Sequence, residues 1–243
     1  MGYKDTYNEW LASDVVDEAS KAELKNIADD EKEIEERFYR TLEFGTAGMR
    51  GVLGAGTNRI NIYNVRQASY GVSVYVNNNG AEAAAKGVLI GYDTRHFSRE
   101  FAQETAKVLA NEGIKVYLFD TVHSVPEVSF GIRELGCAAG VMITASHNPK
   151  EYNGYKVYGP DGGQLPPEAV QTVIDAMGSI NIFDVKFTDL DDAINSGKVE
   201  IVGPELNEKF LQTVQTQQQN PEAVTAVADT FKLIYTPFHG TGS

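Results

Sequence analysis

The sequence is poor in cysteine, in long apolar runs and in basic residues. Cys137 is the only cysteine among 243 residues, so the chain cannot form an intramolecular disulfide. No segment approaches the roughly 18 consecutive apolar residues of a membrane-spanning helix, and the first residues lack the apolar core of a secretory signal. We therefore expect a soluble protein of the reducing cytoplasm that does not bind membranes.

Basic residues are scarce relative to acidic ones. Lys and Arg together number 21 against 34 Asp and Glu, which gives a formal net charge of −13. A surface with this excess of negative charge does not attract nucleic acid or anionic membranes. We expect no nucleic-acid partner, and an anionic ligand has to bind in a local basic pocket.

Apolar residues make up 42% of the chain, which is enough for a folded core. Three short apolar runs, at residues 87–93, 115–120 and 138–145, are predicted strands, and helical patterns separate them. Strands that alternate with helices of this length indicate parallel pairing. The predicted fold is a layered α/β/α domain with a mainly parallel mixed sheet.

The predicted organisation has three parts. Residues 1–43 form an N-terminal helical arm, with one amphipathic helix from about Asp14 to Leu42. Residues 44–205 form the α/β domain, and residues 206–243 form a polar linker and the start of a second similar domain. The last predicted strand, "FKLIYT", leads into a glycine-rich turn that normally precedes a helix, so we expect the sequence to stop inside a structural unit.

Three loops leave the carboxyl ends of the predicted strands. Their sequences are "DTRHFSR", "DTVHSVPE" and "SHNPKEYNGYK". Ligands of open α/β sheets gather at this edge, so the three loops should converge on one site. The earlier glycine-rich segment "FGTAGMRGVLGAGTNRIN" is predicted to be looped or to form a strand edge.

Ser146 in the third loop admits three interpretations. A hydrolase nucleophile is disfavoured because "TASHN" lacks the G-x-S-x-G turn, although His147 or His96 could still complete a triad in space. Ser146, Asn148 and Pro149 could instead form a side-chain-capped turn. The third interpretation is a site that handles a phosphoryl group.

The third interpretation depends on nearby cations. A serine hydroxyl can carry a phosphoryl group, and cations offset its charge. Lys156 follows ten residues later, and Arg50 and Arg95 stand in other glycine or turn loops. Each also has a plainer interpretation, Lys156 as a solvated strand lysine and the two arginines as loop ion pairs.

Three motifs resemble those of a known family. "TASHNP" with "NGYKVY" resembles the phosphoserine loop of the α-D-phosphohexomutases, the phosphoglucomutase and phosphomannomutase superfamily. "FGTAGMRG" at residues 44–51 is similar to the family's G-T-x-G-x-R-G loop, and "GYDTRHFS" at residues 91–98 to its G-x-D-x-R-x-S motif. With the N-terminal arm and the closing "YTPFHGTG", the chain looks most like bacterial phosphoglucomutases of the phosphoglucomutase/phosphopentomutase branch.

The resemblance implies a phosphoserine mechanism. Ser146 carries a phosphate that passes to a sugar phosphate, and the bisphosphorylated intermediate reorients and returns its other phosphate to the serine. Lys156 and Arg50 match positions that act in proton transfer or charge stabilisation, and His147 matches a neighbour of the phosphoserine. The catalytic residues implied are Ser146, Lys156, Arg50 and His147.

The resemblance also implies phosphate-binding residues, and these are Thr46, Arg95 and Asn148. The two remaining histidines have no implied part in the site. His239 is more typical of a turn, and His123 receives no role.

Mg²⁺ is the implied cofactor. Ser146 would supply one metal ligand through its phosphate, and a hard cation also prefers carboxylate oxygens. The family's D-G-D-x-D-R loop is absent from this sequence. Full family members have four domains, so we expect this chain to be an N-terminal part with little or no activity alone.

Two classes of function remain. The leading hypothesis is a phosphoglucomutase that interconverts glucose 1-phosphate and glucose 6-phosphate, with mannose or pentose phosphates as alternative substrates. The second is a non-catalytic α/β module that binds anions through Arg50, Arg95 and Lys156. An uncovered strand near Phe231 to Phe238 would also expose a sheet edge and cause self-association.

Overall fold

The computed structural model describes residues 2–46, 48–236 and 238. The chain divides into two compact units, Met1–Val202 and Gly203–Ser243. Residues 1–43, which we predicted as a separate arm, belong to the first unit.

The first unit is built on a seven-stranded mixed sheet in the order β1-β2-β6-β5-β3-β4-β7. Its strands are β1 (Phe44–Gly45), β2 (Gly48–Val52), β3 (Val88–Tyr92), β4 (Val116–Phe119), β5 (Ala139–Ile143), β6 (Tyr152–Tyr158) and β7 (Val199–Val202). Neighbours among β5, β3, β4 and β7 pair in parallel, whereas β1, β2, β6 and β5 pair antiparallel. The predicted α/β fold with a mixed sheet is confirmed.

Helices surround this sheet in the first unit. They are α1 (Tyr3–Ala12), α2 (Glu18–Asn26), α3 (Glu31–Phe38), α4 (Ile62–Asn78), α5 (Ala81–Lys86), α6 (Ser98–Asn111), α7 (Val125–Glu134), α8 (Pro167–Gly178) and α9 (Leu190–Asn195). Helix α4 packs against α6 and α8, and α6 and α7 both contact β3 and β5. Among the described residues, no helix has the length and apolar composition needed to cross a bilayer.

The parallel strands are buried because helices cover both of their faces. Every residue of β3 and β5 is buried, as their continuous apolar sequences predict. Gly91 and Gly140 allow α7 to approach one face closely. A Cβ atom at Gly91 would lie 2.4 Å from Val128 Cγ2, and one at Gly140 would lie 2.2 Å from Ile132 Cδ1.

The predicted single helix from Asp14 to Leu42 is wrong, because two aspartates restart the helix. The Asp17 side chain accepts from the Ser20 amide at 2.8 Å, and that of Asp30 from the Glu33 amide at 3.1 Å. An aspartate at the N-cap satisfies an amide that a new helix leaves unpaired, so α2 and α3 begin there.

The N-terminal helices enclose a second, smaller apolar core. Its buried members are Tyr7, Trp10, Val16, Leu24, Ile34, Phe38, Ala55 and Tyr63. Trp10 is 1% exposed, and its ring makes edge contacts with Phe38, Tyr63 and Phe183 at centroid distances of 5.8, 5.2 and 5.5 Å. Tyr63 lies on α4, so these contacts connect the N-terminal helices to the layer that covers the sheet.

Two other local predictions are corrected. Ser98 does not cap α6, since the N-cap is Phe97 in a left-handed conformation with φ of 64°. The Ser98 hydroxyl instead donates to Asp93 Oδ1 at 2.7 Å and accepts from the Asn153 side chain at 3.0 Å, so its hydrogen bonds lie outside the helix. Residues 152–156, predicted as part of a loop, belong to β6, whose backbone pairs with strands on both sides.

The second unit contains helices α10 (Pro204–Gln215) and α11 (Pro221–Val227). The predicted strand at residues 231–236 is absent, and these residues have no regular secondary structure. A strand needs a neighbour for its backbone groups, and no described residue pairs with this segment. His239 and the glycine-rich turn lie outside the described residues.

Gly48 provides a test of the close contact between β2 and β6. Its φ is 101°, and a Cβ atom would lie 1.9 Å from Tyr155 O, so we expect Gly48→Ala to lower the free energy of unfolding by at least about 2 kcal/mol. Gly136 also has a positive φ but open space around it, and Gly136→Ala should cost about 1 kcal/mol. Urea denaturation measures both. Equal losses in the two variants would show that the contact is unimportant.

Candidate active site

Ser146 lies just beyond the carboxyl end of β5. Thr144 and Ala145 follow the strand and are buried, and Ser146 is exposed with a left-handed φ of 55°. Its amide donates to Thr144 Oγ1 at 3.0 Å. A serine rarely adopts this conformation unless its surroundings impose it, which is typical of functional sites.

The Ser146 hydroxyl has one side-chain neighbour in the described part of the chain. Its Oγ lies 3.3 Å from Nδ1 of the exposed His147. No carboxylate among the described residues hydrogen-bonds to His147, so the third member of a hydrolase triad is missing there. His96, the other candidate, is on a different loop, and its carbonyl accepts from the buried Asn153 side chain.

Strand register brings Arg50 and Lys156 to the same face of the sheet. Arg50 on β2 pairs with Gly154 on β6, and Lys156 lies two residues after Gly154 on the same strand. Side chains alternate along a strand, so Arg50 and Lys156 are diagonal neighbours. Gly154 lacks a side chain between them, and a Cβ atom there would lie 2.6 Å from Thr144 O.

Arg50 contacts the Ser146 loop directly. Its Nη1 donates to Asn148 Oδ1 at 2.9 Å. The Arg50 side chain is otherwise exposed, so it retains donors for an anion beside Ser146. The predicted site residues Arg50, Asn148 and Ser146 therefore lie together.

Lys156 is half-buried, and its side chain makes no hydrogen bond or salt bridge within the residues that the structure describes. Burial lowers the pKa of Lys156, and the nearby Arg50 charge lowers it further, against an opposing effect of Asp93. Two adjacent cations without a paired carboxylate suit an anionic ligand.

Arg95 and Thr46 have different surroundings. Thr46 is exposed in the turn between β1 and β2. Arg95 is largely buried, and its guanidinium donates to backbone carbonyl groups of the Ser146 loop rather than pointing into open space.

Two of the three predicted loops converge. Arg95 joins the loop after β3 to the loop after β5 through its bonds to Ser146 O and Pro149 O. The loop after β4 bonds instead to the ends of β3 and β7, where the His123 amide donates to Tyr92 O at 3.1 Å and the Asp120 amide donates to Val202 O at 2.8 Å. No hydrogen bond among the described residues links residues 120–127 to the Ser146 loop.

Sequence reasoning missed three residues that support the site, namely Asp93, Ser98 and Asn153. Asn153 is fully buried, and its amide donates to His96 O and to Ser98 Oγ, both at 3.0 Å. Asp93 Oδ1 accepts from the Ser98 hydroxyl and from the Arg95 amide. Asp93 and Ser98 occupy the specified aspartate and serine positions of the G-x-D-x-R-x-S motif. That motif was the sequence feature from which their importance could have been predicted.

The described residues contain no group of three or more His, Cys, Asp or Glu side chains arranged to hold a metal ion. The residues around Ser146 are cationic, and only a phosphate on Ser146 would add an oxygen ligand. The described side chains therefore do not form a complete cation site.

Comparison with known proteins gives the family of this chain. Residues 41–181 match the family model for phosphoglucomutase/phosphomannomutase, alpha/beta/alpha domain I. The chain belongs to this family. The match includes the glycine loop with Arg50, the Arg95 loop and the Ser146 loop, and thus every predicted site residue.

Curated relatives in this family include staphylococcal proteins named phosphoglucomutase. The chain is 40% identical to that of Staphylococcus epidermidis over 240 residues, covering 96% of this chain and 41% of the relative. It is 46% identical to that of Staphylococcus aureus over 156 residues, covering 63% of this chain and 28% of the relative. The chain thus spans well under half the length of these relatives.

Solved structures share the fold. A phosphoglucomutase/phosphomannomutase family protein from Burkholderia thailandensis superposes with a TM-score of 0.53 at 19% identity, over 72% of this chain and 35% of that one. The open form of pp63/parafusin, a phosphoglucomutase from Paramecium, gives a TM-score of 0.55 at 18% identity, over 79% of this chain and 38% of that one.

The paired cations generate a pH-dependent prediction. Arg50→Gln removes a charge that lowers the pKa of Lys156, so that pKa should rise. Folding lowers the pKa of Lys156, so a protonated Lys156 destabilises the folded protein at pH values below its folded-state pKa. This loss of stability disappears as the pH rises from the folded-state pKa to the higher unfolded-state pKa. Arg50→Gln should flatten that dependence.

NMR titration of the Lys156 side-chain Cε and Nζ signals measures the shift. Arg99→Gln is the matched control, since Arg99 is exposed on α6 and is not among the groups that influence Lys156. An unchanged Lys156 titration in Arg50→Gln, or an equal change in Arg99→Gln, would contradict the assigned electrostatic coupling.

Proposed function

We propose that this chain is the phosphoserine-bearing part of a phosphoglucomutase. One observation carries the proposal. An exposed serine with a left-handed backbone lies in a loop that Arg50 contacts, and neither Arg50 nor its diagonal neighbour Lys156 forms a salt bridge among the described residues. Family membership and relatives named phosphoglucomutase support it. Because the chain spans only part of those relatives, the reaction and its substrate are inferences for this protein.

In the proposed reaction, phosphate is carried on Ser146 Oγ. A hydroxyl of the sugar phosphate attacks phosphorus, so the sugar O–P bond forms as the Oγ–P bond breaks. The sugar hydroxyl loses its proton to a base, and Ser146 Oγ regains one. The bisphosphorylated sugar then reorients, and the reverse transfer returns its other phosphate to Ser146.

Arg50 and Lys156 have separate tasks in this proposal. Arg50 stays charged and offsets the negative charge on the transferring group. Lys156 has a lowered pKa, so it gives up a proton more readily than an exposed lysine and suits proton transfer. His147, next to the hydroxyl, and Asn148, which holds Arg50, complete the immediate surroundings.

The substrate class is a hexose phosphate, with glucose favoured by the relatives' names. Mannose and pentose phosphates are the alternatives. Thr46 enters as a predicted phosphate-binding residue and has the exposed position that this role needs, whereas Arg95, also predicted for this role, is bound to carbonyl groups of the Ser146 loop. The competing proposal is a non-catalytic module that only binds anions. The exposed Arg50 and the nearby Lys156 would favour it if the phosphoryl-transfer experiments fail.

Mg²⁺ and the cytoplasm are further parts of the proposal. The family is generally metal-dependent, and phosphate on Ser146 would supply one oxygen ligand for Mg²⁺. No step is assigned to the metal, because the described residues do not complete its site.

Burial raises the pKa of the Cys137 thiol to about 12, so this cysteine stays protonated and unreactive, which suits a cytoplasmic protein.

Phosphorylation of Ser146 tests the proposal. When this chain replaces the matching residues of the Staphylococcus epidermidis relative, the resulting chimera should gain one phosphoryl group from glucose bisphosphate, located on Ser146 by peptide mass spectrometry. The Ser146→Ala chimera should gain none at this position, and Ser13→Ala, a change at a partly exposed serine distant from Ser146 in the sequence, should behave like the unsubstituted chimera.

A chimera tests turnover. In it, this chain replaces the matching residues of the Staphylococcus epidermidis relative. We expect glucose phosphate interconversion by the chimera, loss of at least about a thousandfold in its Ser146→Ala variant, and little activity from this chain alone. Substantial activity in the Ser146→Ala chimera would refute the assignment of Ser146.

Self-association through the C-terminal segment is a separate proposal. The predicted strand edge is absent, but Phe231, Leu233, Ile234 and Tyr235 are exposed, with Ile234 at 95%. Exposed apolar side chains of this number favour association with a second copy. We expect light scattering to show dimers or larger species, and Leu233→Asp with Ile234→Asp to reduce them. A monomer at high concentration, or an equal effect of Val15→Asp, would contradict this.

A further inference from the structure

Arg95 is the most connected side chain at the Ser146 loop. Its Nη2 donates to Ser146 O at 2.9 Å and to Asn148 O at 2.5 Å. Its Nη1 donates to Pro149 O at 2.8 Å and to Tyr152 O at 3.1 Å. One guanidinium thus holds four backbone carbonyl groups that span the whole loop.

These contacts leave Arg95 without free donors at its terminal nitrogens. Each of the two nitrogens carries two N–H groups, and the four bonds use them all. The remaining Nε lies 3.6 Å from Asp93 Oδ2, and the Arg95 side chain is only 14% exposed. Arg50 differs from Arg95 in burial and in its hydrogen bonds. Its side chain is exposed, and among the described residues it bonds to Asn148 alone.

Arg95 is itself held by a buried polar network. Asp93 Oδ1 accepts from the Arg95 amide at 3.0 Å and from the Ser98 hydroxyl at 2.7 Å. Ser98 Oγ accepts from the side chain of Asn153 on β6. The network therefore runs from β6, through the loop after β3, to the loop that carries Ser146.

We propose that Arg95 is a positioning residue that holds the Ser146 backbone in its left-handed conformation, and that it does not bind the sugar phosphate. The inference rests on the proposed role of Ser146 for its functional meaning. Asp93, Ser98 and Asn153 orient Arg95, and Asp93 also offsets its charge. This leaves Arg50 and Lys156 as the cations that face the phosphoryl group.

The planar fork of arginine distinguishes positioning from simple charge. A lysine at residue 95 would keep the positive charge but has one nitrogen, which cannot reach four carbonyl groups spread over residues 146–152. If Arg95 holds the loop, Arg95→Lys fails almost as badly as Arg95→Ala. If Arg95 only attracts an anion, Arg95→Lys retains much of its function.

Amide hydrogen exchange in the 243-residue chain tests this without any sugar phosphate. The reporters are the amides of Ser146, Asn148 and Tyr152, which bond to Thr144 Oγ1, Ala145 O and Pro149 O. Their exchange should be at least about tenfold faster in both Arg95→Ala and Arg95→Lys. Amides of β3 should keep their parental rates, which separates a local effect from global destabilisation.

Arg99→Ala is the matched control, because it removes a neighbouring exposed arginine. It should leave all three reporter amides unchanged. If Arg95→Ala does not fold, Arg95→Lys and Asp93→Asn carry the test, with faster loop exchange expected in both. Parental exchange at the three amides in Arg95→Lys would overturn the proposal. The result is independent of phosphoryl transfer, so a failed Ser146 phosphorylation experiment would leave it standing.

Discussion

The backbone pairing of β6 with both β2 and β5 is the constraint on which the site depends. It brings Arg50, from one end of the sequence, beside Lys156 and next to the strand that leads to Ser146. The approach is close enough that a Cβ atom at Gly154 would collide with Thr144 O. A side chain at this position is excluded by the geometry, so no side chain lies between the two cations on this face of the sheet.

The charges of the protein are divided between structural and available groups. Several arginines are committed to ion pairs, as in the contact of Arg66 with Glu104 and the contacts of Arg59 with Glu33 and Glu36. Arg50 and Lys156 are not committed in this way within the described residues. A strongly acidic protein can thus present a local positive site, because these two cations form no salt bridge with a carboxylate among the described residues.

The parallel part of the sheet was predictable because buried strands have continuous apolar sequences. The N-terminal region was less predictable, because its helical spacing of apolar residues continues across Asp17 and Asp30. Only the capping hydrogen bonds of these two aspartates show that separate helices begin there. In the site, motifs identified Ser146 and Lys156. They could not reveal Arg95's contacts, because backbone carbonyl groups are present at every residue and only the folded loop selects four of them.

The small N-terminal core has a practical consequence for studies of folding. Trp10 is the only tryptophan in the chain and is enclosed by Phe38, Tyr63 and Phe183. Its fluorescence therefore reports on the N-terminal helices, whereas circular dichroism reports on the whole chain. Coincident transitions in the two measurements would mean that the N-terminal core and the sheet melt as one cooperative body, and separate transitions would divide the first unit into two.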